Sequence, residues 1–380
     1  MKIAIVSPYS WTVPGGVNMH IASLAHQLRT RGHEVRILAP ADGPVEAGVL
    51  PLGRTVAVPY NGSVARMAFG PRVAARVRVA LRRARPDIVH VHEPFSPSTG
   101  MLTAIAARVP VVATFHASAD SRAYRVARTA LTPLWNKLSV KIAVSAAARD
   151  TVEGVFGPGV RIIPNGIDCA RFAAVGPPDP DGATVLYVGR LERRKGAHVL
   201  VDAVPSLLET VATARVVFAG DGPLRKELEQ GVTAKHRARV EFIGRFAEED
   251  RLALLESSNV VCLPAIGGES FGYTLVEAMA AGRAVVASAI PGYASVARDG
   301  LEAVLVPPGR PEAVAGALAR LLAAPHEAAA MGAAARARAK TYDWPVVAGD
   351  IEEVYREALD RAAPSRTRRI AVKRRAGRTL

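Results

Sequence analysis

Two carboxylates behind a glycine pair, and a basic loop between glycines, are the residues of this sequence best spaced to do chemistry. Gly267-Gly268-Glu269-Ser270-Phe271-Gly272-Tyr273-Thr274-Leu275-Val276-Glu277 places a second glutamate eight residues after the first. An apolar strand pattern, Val260 to Pro264, precedes it, and a helix pattern runs from Tyr273 to Ala281. Glu269 is therefore expected in the loop at a strand's carboxyl end, and Glu277 about two turns into the helix. Open parallel sheets bind their ligands in that crevice, where a helix N-terminus offers free N–H groups to an anion. Two carboxylates would repel a phosphate, so they suit hydroxyl groups, as on a sugar and a ribose. Taken alone, the segment is equally well explained by a capping glutamate and a solvated one.

The second constellation favours a ligand. Strand-like Thr184 to Val188 ends in Gly189-Arg190, and Arg193-Arg194-Lys195-Gly196 leads into a helix starting near Ala197. A basic loop pinned by glycines between strand and helix fits the two phosphates of a nucleotide diphosphate. Arg190 offers a bidentate fork and Lys195 a mobile point charge. The competing view is a charge run that is merely solvated.

In the amino-terminal half, Pro14-Gly15-Gly16-Val17 follows the strand Ile3 to Val6 and opens a helix to about Arg31, which Gly32 ends. Gly16 would let backbone come close to a phosphate, although many such turns carry glycine. His116 closes the strand pattern Val111 to Phe115. A lone histidine there is more often structural than functional.

The residues taken together resemble a known family. Gly189-Arg190 with Lys195-Gly196, and Glu269 with Glu277, resemble the retaining nucleotide-sugar glycosyltransferases of the GT-B type, family 4. Tyr9-Ser10 with Val13 to Val17, the string Pro59-Tyr60-Asn61-Gly62-Ser63-Val64-Ala65-Arg66, His92-Glu93-Pro94 and Ala113-Thr114-Phe115-His116 are similar to the actinobacterial phosphatidylinositol α-mannosyltransferases. The likeness extends to about Tyr355. It implies that Glu269, Phe271, Gly272 and Glu277 meet the donor sugar and ribose, that Arg190 and Lys195 hold the diphosphate, and that Gly16 reaches it from the other domain. It makes His116 a residue of the catalytic region, hydrogen-bonding a donor hydroxyl. Tyr9, Asn61, Ser63 and Arg66 fall to the acceptor, a phosphatidylinositol-type lipid. The implied donor is GDP-mannose, with Glu248 beside Gly244-Arg245-Phe246 as a candidate acceptor for guanine N–H groups; UDP- and ADP-sugars stay open. Transfer would proceed with retention, the leaving diphosphate taking the acceptor's proton, with no cofactor or metal required. Ala117 and Ser121 stand where the family pattern has threonine and lysine, which weakens the inositol-phosphate contact unless Arg122 replaces it.

The elements that must position these residues follow from periodicity. A chain of 380 residues, 49% apolar, is too long for one core. Strand patterns at Ile3 to Val6, Val35 to Leu38, Ile88 to His92, Val111 to Phe115 and Ile142 to Val144 alternate with helices. A second set follows at Val185 to Val188, Val216 to Ala219, Val240 to Ile243, Val260 to Leu263, Ala284 to Ala287 and Ala303 to Val306. Such alternation predicts an α/β chain of two Rossmann-like, doubly wound parallel-sheet domains facing across a cleft. The expected divisions are an acceptor domain 1–175, a linker rich in proline and glycine, a donor domain 183–344, a helix 345–362 crossing back, and a basic disordered tail 363–380.

Asp179 and Asp181 sit among prolines in that linker, where surface solubility explains them without a metal. Cys169 and Cys262 are isolated and read as small hydrophobes in a reducing compartment. The first apolar run is too short for a signal peptide and no run approaches a membrane span, so a cytoplasmic protein with peripheral membrane contact is expected. Seven arginines and no acid lie in 66–86, and eight bases and no acid in 361–380; these two stretches match the whole formal excess of +15. From Pro71 on, Val73, Val77 and Leu81 share a helical face while Arg72, Arg76, Arg78, Arg82 and Arg83 take the remainder. An anionic membrane surface is the favoured partner, against a solvated helix or nucleic acid. Aromatics are 5% of the chain and no recognition motif accompanies the charge, which argues against nucleic acid. Two other classes compete. A dehydrogenase would want a G-x-G-x-x-G after its first strand, which is missing, and a non-catalytic membrane-binding protein would have no use for Arg190, Lys195, Glu269 and Glu277 together.

Overall fold

The computed structural model describes residues 1–60, 63–117 and 122–376, with the side chains of these residues except 59, 60, 63 and 364–376. Asn61 lies outside the described residues, as does Ser121. The chain divides into two compact units, Met1–Gly166 with the chain from Trp344 onward, and Ile167–Asp343. The division is thus at Gly166, ahead of the proline-rich stretch expected to mark it. The reason is local: Asp168 caps the helix Cys169–Ala173, and Arg283 and Arg336 donate to the carbonyls of Gly176 and Val175, so this stretch is bound into the second unit.

The first unit begins β1 (Lys2–Val6), α1 (Gly16–Thr30), β2 (Glu34–Ala39), β3 (Val49–Pro51), β4 (Val56–Tyr60), β5 (Ser63–Met67), α2 (Pro71–Ala84), β6 (Ile88–His92) and α3 (Thr99–Ala106). It continues through β7 (Val111–Phe115), α4 (Arg122–Val126), α5 (Arg128–Lys137), β8 (Val140–Ala143), α6 (Ala146–Phe156) and β9 (Val160–Ile162). Seven strands form one parallel sheet in the order β3-β2-β1-β6-β7-β8-β9, and β4 pairs with β5 as an antiparallel hairpin. The central strands are buried on both faces, which is why they read as mainly apolar runs, with His90, His92 and Thr114 the polar residues buried among them.

The second unit comprises α7 (Cys169–Ala173), β10 (Thr184–Val188), α8 (Ala197–Thr210), β11 (Arg215–Ala219), α9 (Arg225–Gly231), β12 (Val240–Gly244), α10 (Asp250–Glu256) and β13 (Val260–Leu263). Then come α11 (Tyr273–Ala280), β14 (Ala284–Ser288), α12 (Pro291–Ala294), β15 (Val304–Val306), α13 (Pro311–Ala323) and α14 (Pro325–Ala339). Its six strands are parallel in the order β12-β11-β10-β13-β14-β15. In each sheet the strand order reverses once, at β1/β6 and at β10/β13, and ligand crevices of such sheets form at that reversal.

The chain then returns to the first unit as α15 (Trp344–Ala376). Val347, Ile351, Val354, Tyr355 and Ala358 are almost wholly buried in the core formed with α1 and β1. Gly166 faces Trp344 so closely that a Cβ there would overlap the indole ring. The helix does not stop at Ala362 as expected; its backbone stays helical to Ala376, because Ala, Arg and Lys are good helix formers extending a helix already docked.

Candidate active site

In the second unit the loops after β10 and β13, the two strands at the reversal, come together. Gly196 caps α8 at φ 73°, and a Cβ there would overlap the Pro264 carbonyl oxygen, so only glycine lets the β10 loop approach the end of β13. That approach sets a chain of charges. Lys195 Nζ lies 2.8 Å from Glu269 Oε1, and Arg194 Nη1 donates to the same oxygen at 2.5 Å. Arg194 Nε is 3.3 Å from Glu192, whose other oxygen is 2.9 Å from Arg190 Nη2. Three cations and two carboxylates leave one positive charge in excess, and Arg190, with a side chain 66% exposed, is the cation open to solvent. Such a loop can neutralise an arriving diphosphate while Glu269 keeps the cations in place.

A second, balanced chain sits beside α10 and α11. Arg171 pairs with Glu248 at 2.9 Å, Arg251 with Glu248 at 3.0 Å, and Arg251 with Glu277 at 3.0 Å. Burial raises the Glu277 carboxyl above the usual range, and Arg251 opposes that rise. Glu248, the candidate acceptor for a base, braces two arginines, the guanidinium of Arg251 also lying over the Phe246 ring. The Phe271 ring is buried edge-on against Tyr273 and Tyr342, so it shapes the loop from inside. Gly272 precedes α11 in the left-handed conformation. The enclosed space between Tyr187, Lys195, Glu269 and Tyr293 is about 10 Å³, room for a water at most.

In the first unit, Gly16 is the first residue of α1, whose opening turn carries no acid and leaves its N–H groups for an anion. One turn on, His20 is fully buried, and its ring stands 5.2 Å from that of His116. His92 Nδ1 and His116 Nε2 are 2.8 Å apart, and the rings of His90 and His92 stack at 4.4 Å. Burial pushes all four imidazoles far down, His20 and His90 to about 3, so His116 is a neutral hydrogen-bonding group at neutral pH. Glu93, part of the His92-Glu93-Pro94 string, has a role that its spacing does not reveal. Its Oε1 accepts from the main-chain N–H of His116 at 2.6 Å and of Ala117 at 2.7 Å, while its own backbone is held at φ 50°. Among the described residues, one group of three could supply nitrogens to a cation: His20, His92 and His116, within 4.8 Å of one another. Asp179 instead accepts the Asp181 N–H, as a turn does.

Tyr9 and Arg66 are brought together by the backbone: Tyr9 bridges Met67, and Ser10 donates to the Arg66 carbonyl at 2.8 Å. The Arg66 guanidinium pairs with Asp42 at 3.2 Å. Ser63 begins β5 opposite Tyr60. Arg72, Arg76, Arg78, Arg82 and Arg83 are all exposed on α2, and of the expected apolar face Val73 and Val77 are buried, with Ala80, while Leu81 is half-buried. Among the described residues no helix is long and apolar enough to cross a membrane.

Residues 14–171 match the family described as Glycosyltransferase Family 4, and residues 171–338 the one described as Glycosyl transferases group 1. The chain is 40% identical over 366 residues to a phosphatidyl-myo-inositol mannosyltransferase of Mycobacterium tuberculosis, covering 93% of this chain and 96% of that one. It is 41% identical over 363 residues to that of Mycolicibacterium smegmatis, covering 93% of each. Among solved structures, Anabaena HepE in complex with UDP is similar at a TM-score of 0.75 and 23% identity, over 93% of this chain and 99% of that one, a likeness of GT-B fold. The protein belongs to the phosphatidyl-myo-inositol mannosyltransferases of glycosyltransferase family 4.

Proposed function

We propose that the protein transfers mannose from GDP-mannose, with retention, to an inositol hydroxyl of phosphatidylinositol at a membrane surface. The observation that carries the donor half is the Arg190–Glu192–Arg194–Glu269–Lys195 chain at the β10/β13 reversal. In the step proposed, the bond between the sugar's C1 and the diphosphate oxygen breaks as a bond from C1 to the inositol oxygen forms on the same face. The inositol proton passes to the departing diphosphate. Arg190, Arg194 and Lys195 stabilise the charge developing there, and neutral His116 orients the sugar by a hydroxyl hydrogen bond. Peripheral contact through the arginine face of α2 brings the lipid substrate within reach.

The test is direct. Purified protein with GDP-mannose and phosphatidylinositol vesicles should release GDP and form an α-mannosyl lipid, read from the anomeric NMR signal. A thermal-shift panel of GDP-, UDP- and ADP-sugars fixes the donor: a ligand at about 100 times its Kd stabilises by about 2.7 kcal/mol. Stabilisation by a UDP-sugar and none by GDP-mannose would overturn the donor assignment. EDTA should leave turnover unchanged.

A further inference from the structure

At the C-terminal end of α2, sharing Arg78 and Arg82 with its arginine face, the first unit contains a cavity of about 300 Å³ that the transfer reaction does not use. It lies where α2 and α3 both end. Four arginines line it: Arg78, Arg82 and Arg85 from α2 and its cap, and Arg108 from the segment after α3. Leu81 and Val109 give it an apolar floor. All four arginines are exposed, and among the described residues none of their guanidinium groups has a hydrogen bond or ion pair. Asp87, the nearest acid in sequence, spends its Oδ2 on the Lys2 main-chain N–H at 2.8 Å.

Two helix C-termini contribute partial negative charge there, roughly half an elementary charge each. Against them stand four full positive charges, and with the Asp87 carboxylate counted as well an excess of about two remains. If the arginines served only to cap these helix ends, their guanidinium groups would be bonded to last-turn carbonyls, and no such bond is present among the described residues. Arg85 holds φ 43°, with its N–H on the Leu81 carbonyl at 3.0 Å, a left-handed cap on a non-glycine residue at the cavity's rim. Ile105, adjoining the cavity in sequence, is 57% exposed.

We propose that this cavity is a headgroup site for an anionic glycerophospholipid, holding one lipid phosphate between Arg82, Arg85 and Arg108 with the lipid's first apolar groups over Leu81 and Val109. The apolar floor and the exposed Ile105 favour a lipid over a free anion. The site adds a specific grip to the diffuse attraction of the α2 face, and it rests on the membrane-surface part of the proposed function. The lipid held here is an anchor and is not the acceptor, whose residues Tyr9 and Arg66 belong to the β4–β5 side of the unit.

The experiment compares two charge-matched variants of the full chain, Arg85→Ser/Arg108→Ser at the cavity and Arg72→Ser/Arg76→Ser elsewhere on α2. Diffuse attraction, at about 1 kcal/mol per basic residue, predicts the same loss of roughly thirtyfold for both on phosphatidylglycerol/phosphatidylcholine vesicles. A built site predicts at least a further tenfold loss for the cavity pair alone. Dihexanoyl phosphatidylglycerol should bind the wild type saturably in calorimetry, at least tenfold tighter than inorganic phosphate, and should not bind the cavity variant. Equal losses for the two variants, or equal binding of phosphate and short-chain lipid, would overturn the proposal. Mannosyl transfer measured in parallel separates the two readings, since product formation with equal vesicle losses sinks only the anchor site.

Discussion

Glu269 is legible in the sequence because a carboxylate after two glycines at a strand end has few structural uses. Lys195 is legible beside it, whereas Arg194 is not, because nothing in the spacing separates Arg194 from Arg193 until the 3-10 turn at Arg193–Lys195 aims Arg194 and Lys195 at Glu269. Arg194→Ala and Lys195→Ala should each lower kcat by about 10²–10³, the usual loss for one preorganised electrostatic contact. Steady-state kinetics check this, and activity of Arg194→Ala within a few-fold of wild type would remove it from the diphosphate site. Glu93 was invisible as a functional residue since its work is done by geometry. It clamps two main-chain N–H groups and so positions His116. Glu93→Ala should cost up to about 10² in kcat through misplacement. Glu93→Gln keeps the accepting oxygen and should recover most of it. An equal loss in both variants would point to charge instead of position.

At the scale of elements, the long apolar strands and α2 are where periodicity places them, since burial on one face or two leaves a plain pattern. The edge strands β3 and β9 and the separate two-stranded hairpin β4–β5 carry no such pattern, because segments of three to five residues that cover little core need little apolar matter. The α2 face yields the membrane prediction: replacing Arg76, Arg78, Arg82 and Arg83 by serine should weaken partitioning to anionic vesicles by up to about a thousandfold. The loss should shrink at high salt, as the Debye length falls from about 10 Å at 0.1 M to 3 Å at 1 M. Sedimentation at two salt concentrations decides it, and unchanged pelleting would reduce the arginines to solvation.

For the whole molecule, pH should act through the buried histidines. His20 and His90 are held near 3 in the fold and titrate near 6.5 when unfolded. Their stabilisation is present above about 6.5 and is lost as pH falls through that value toward 3, because the unfolded chain then binds protons the fold refuses. Each can contribute a slope of about 1.4 kcal/mol per pH unit, while Glu93, raised by burial, works in the opposite sense. Thermal midpoints between pH 7 and 4.5 should therefore fall, and more gently in His20→Phe. An unchanged slope in that variant would show that His20 titrates normally. The domain seam is not legible from composition, since Arg283 and Arg336 donate to the carbonyls of Gly176 and Val175 and bind that stretch into the second unit.

The return of α15 to the first unit bears on how the protein is made. Four large side chains of that helix, Val347, Ile351, Val354 and Tyr355, are buried to within 2%, together about 6–12 kcal/mol of apolar burial, as much as a domain's net stability. A ribosome delivers domains from the amino terminus onward, yet here the unit begun first is completed last. The newborn chain must carry an unfinished first core through the synthesis of the whole second unit, Ile167–Asp343, which alone is contiguous and can close on emergence. Released chains ending at Asp343 should therefore show a protease-resistant second unit beside a first unit that is digested, as limited proteolysis can read, whereas chains that include Ala358 should protect both.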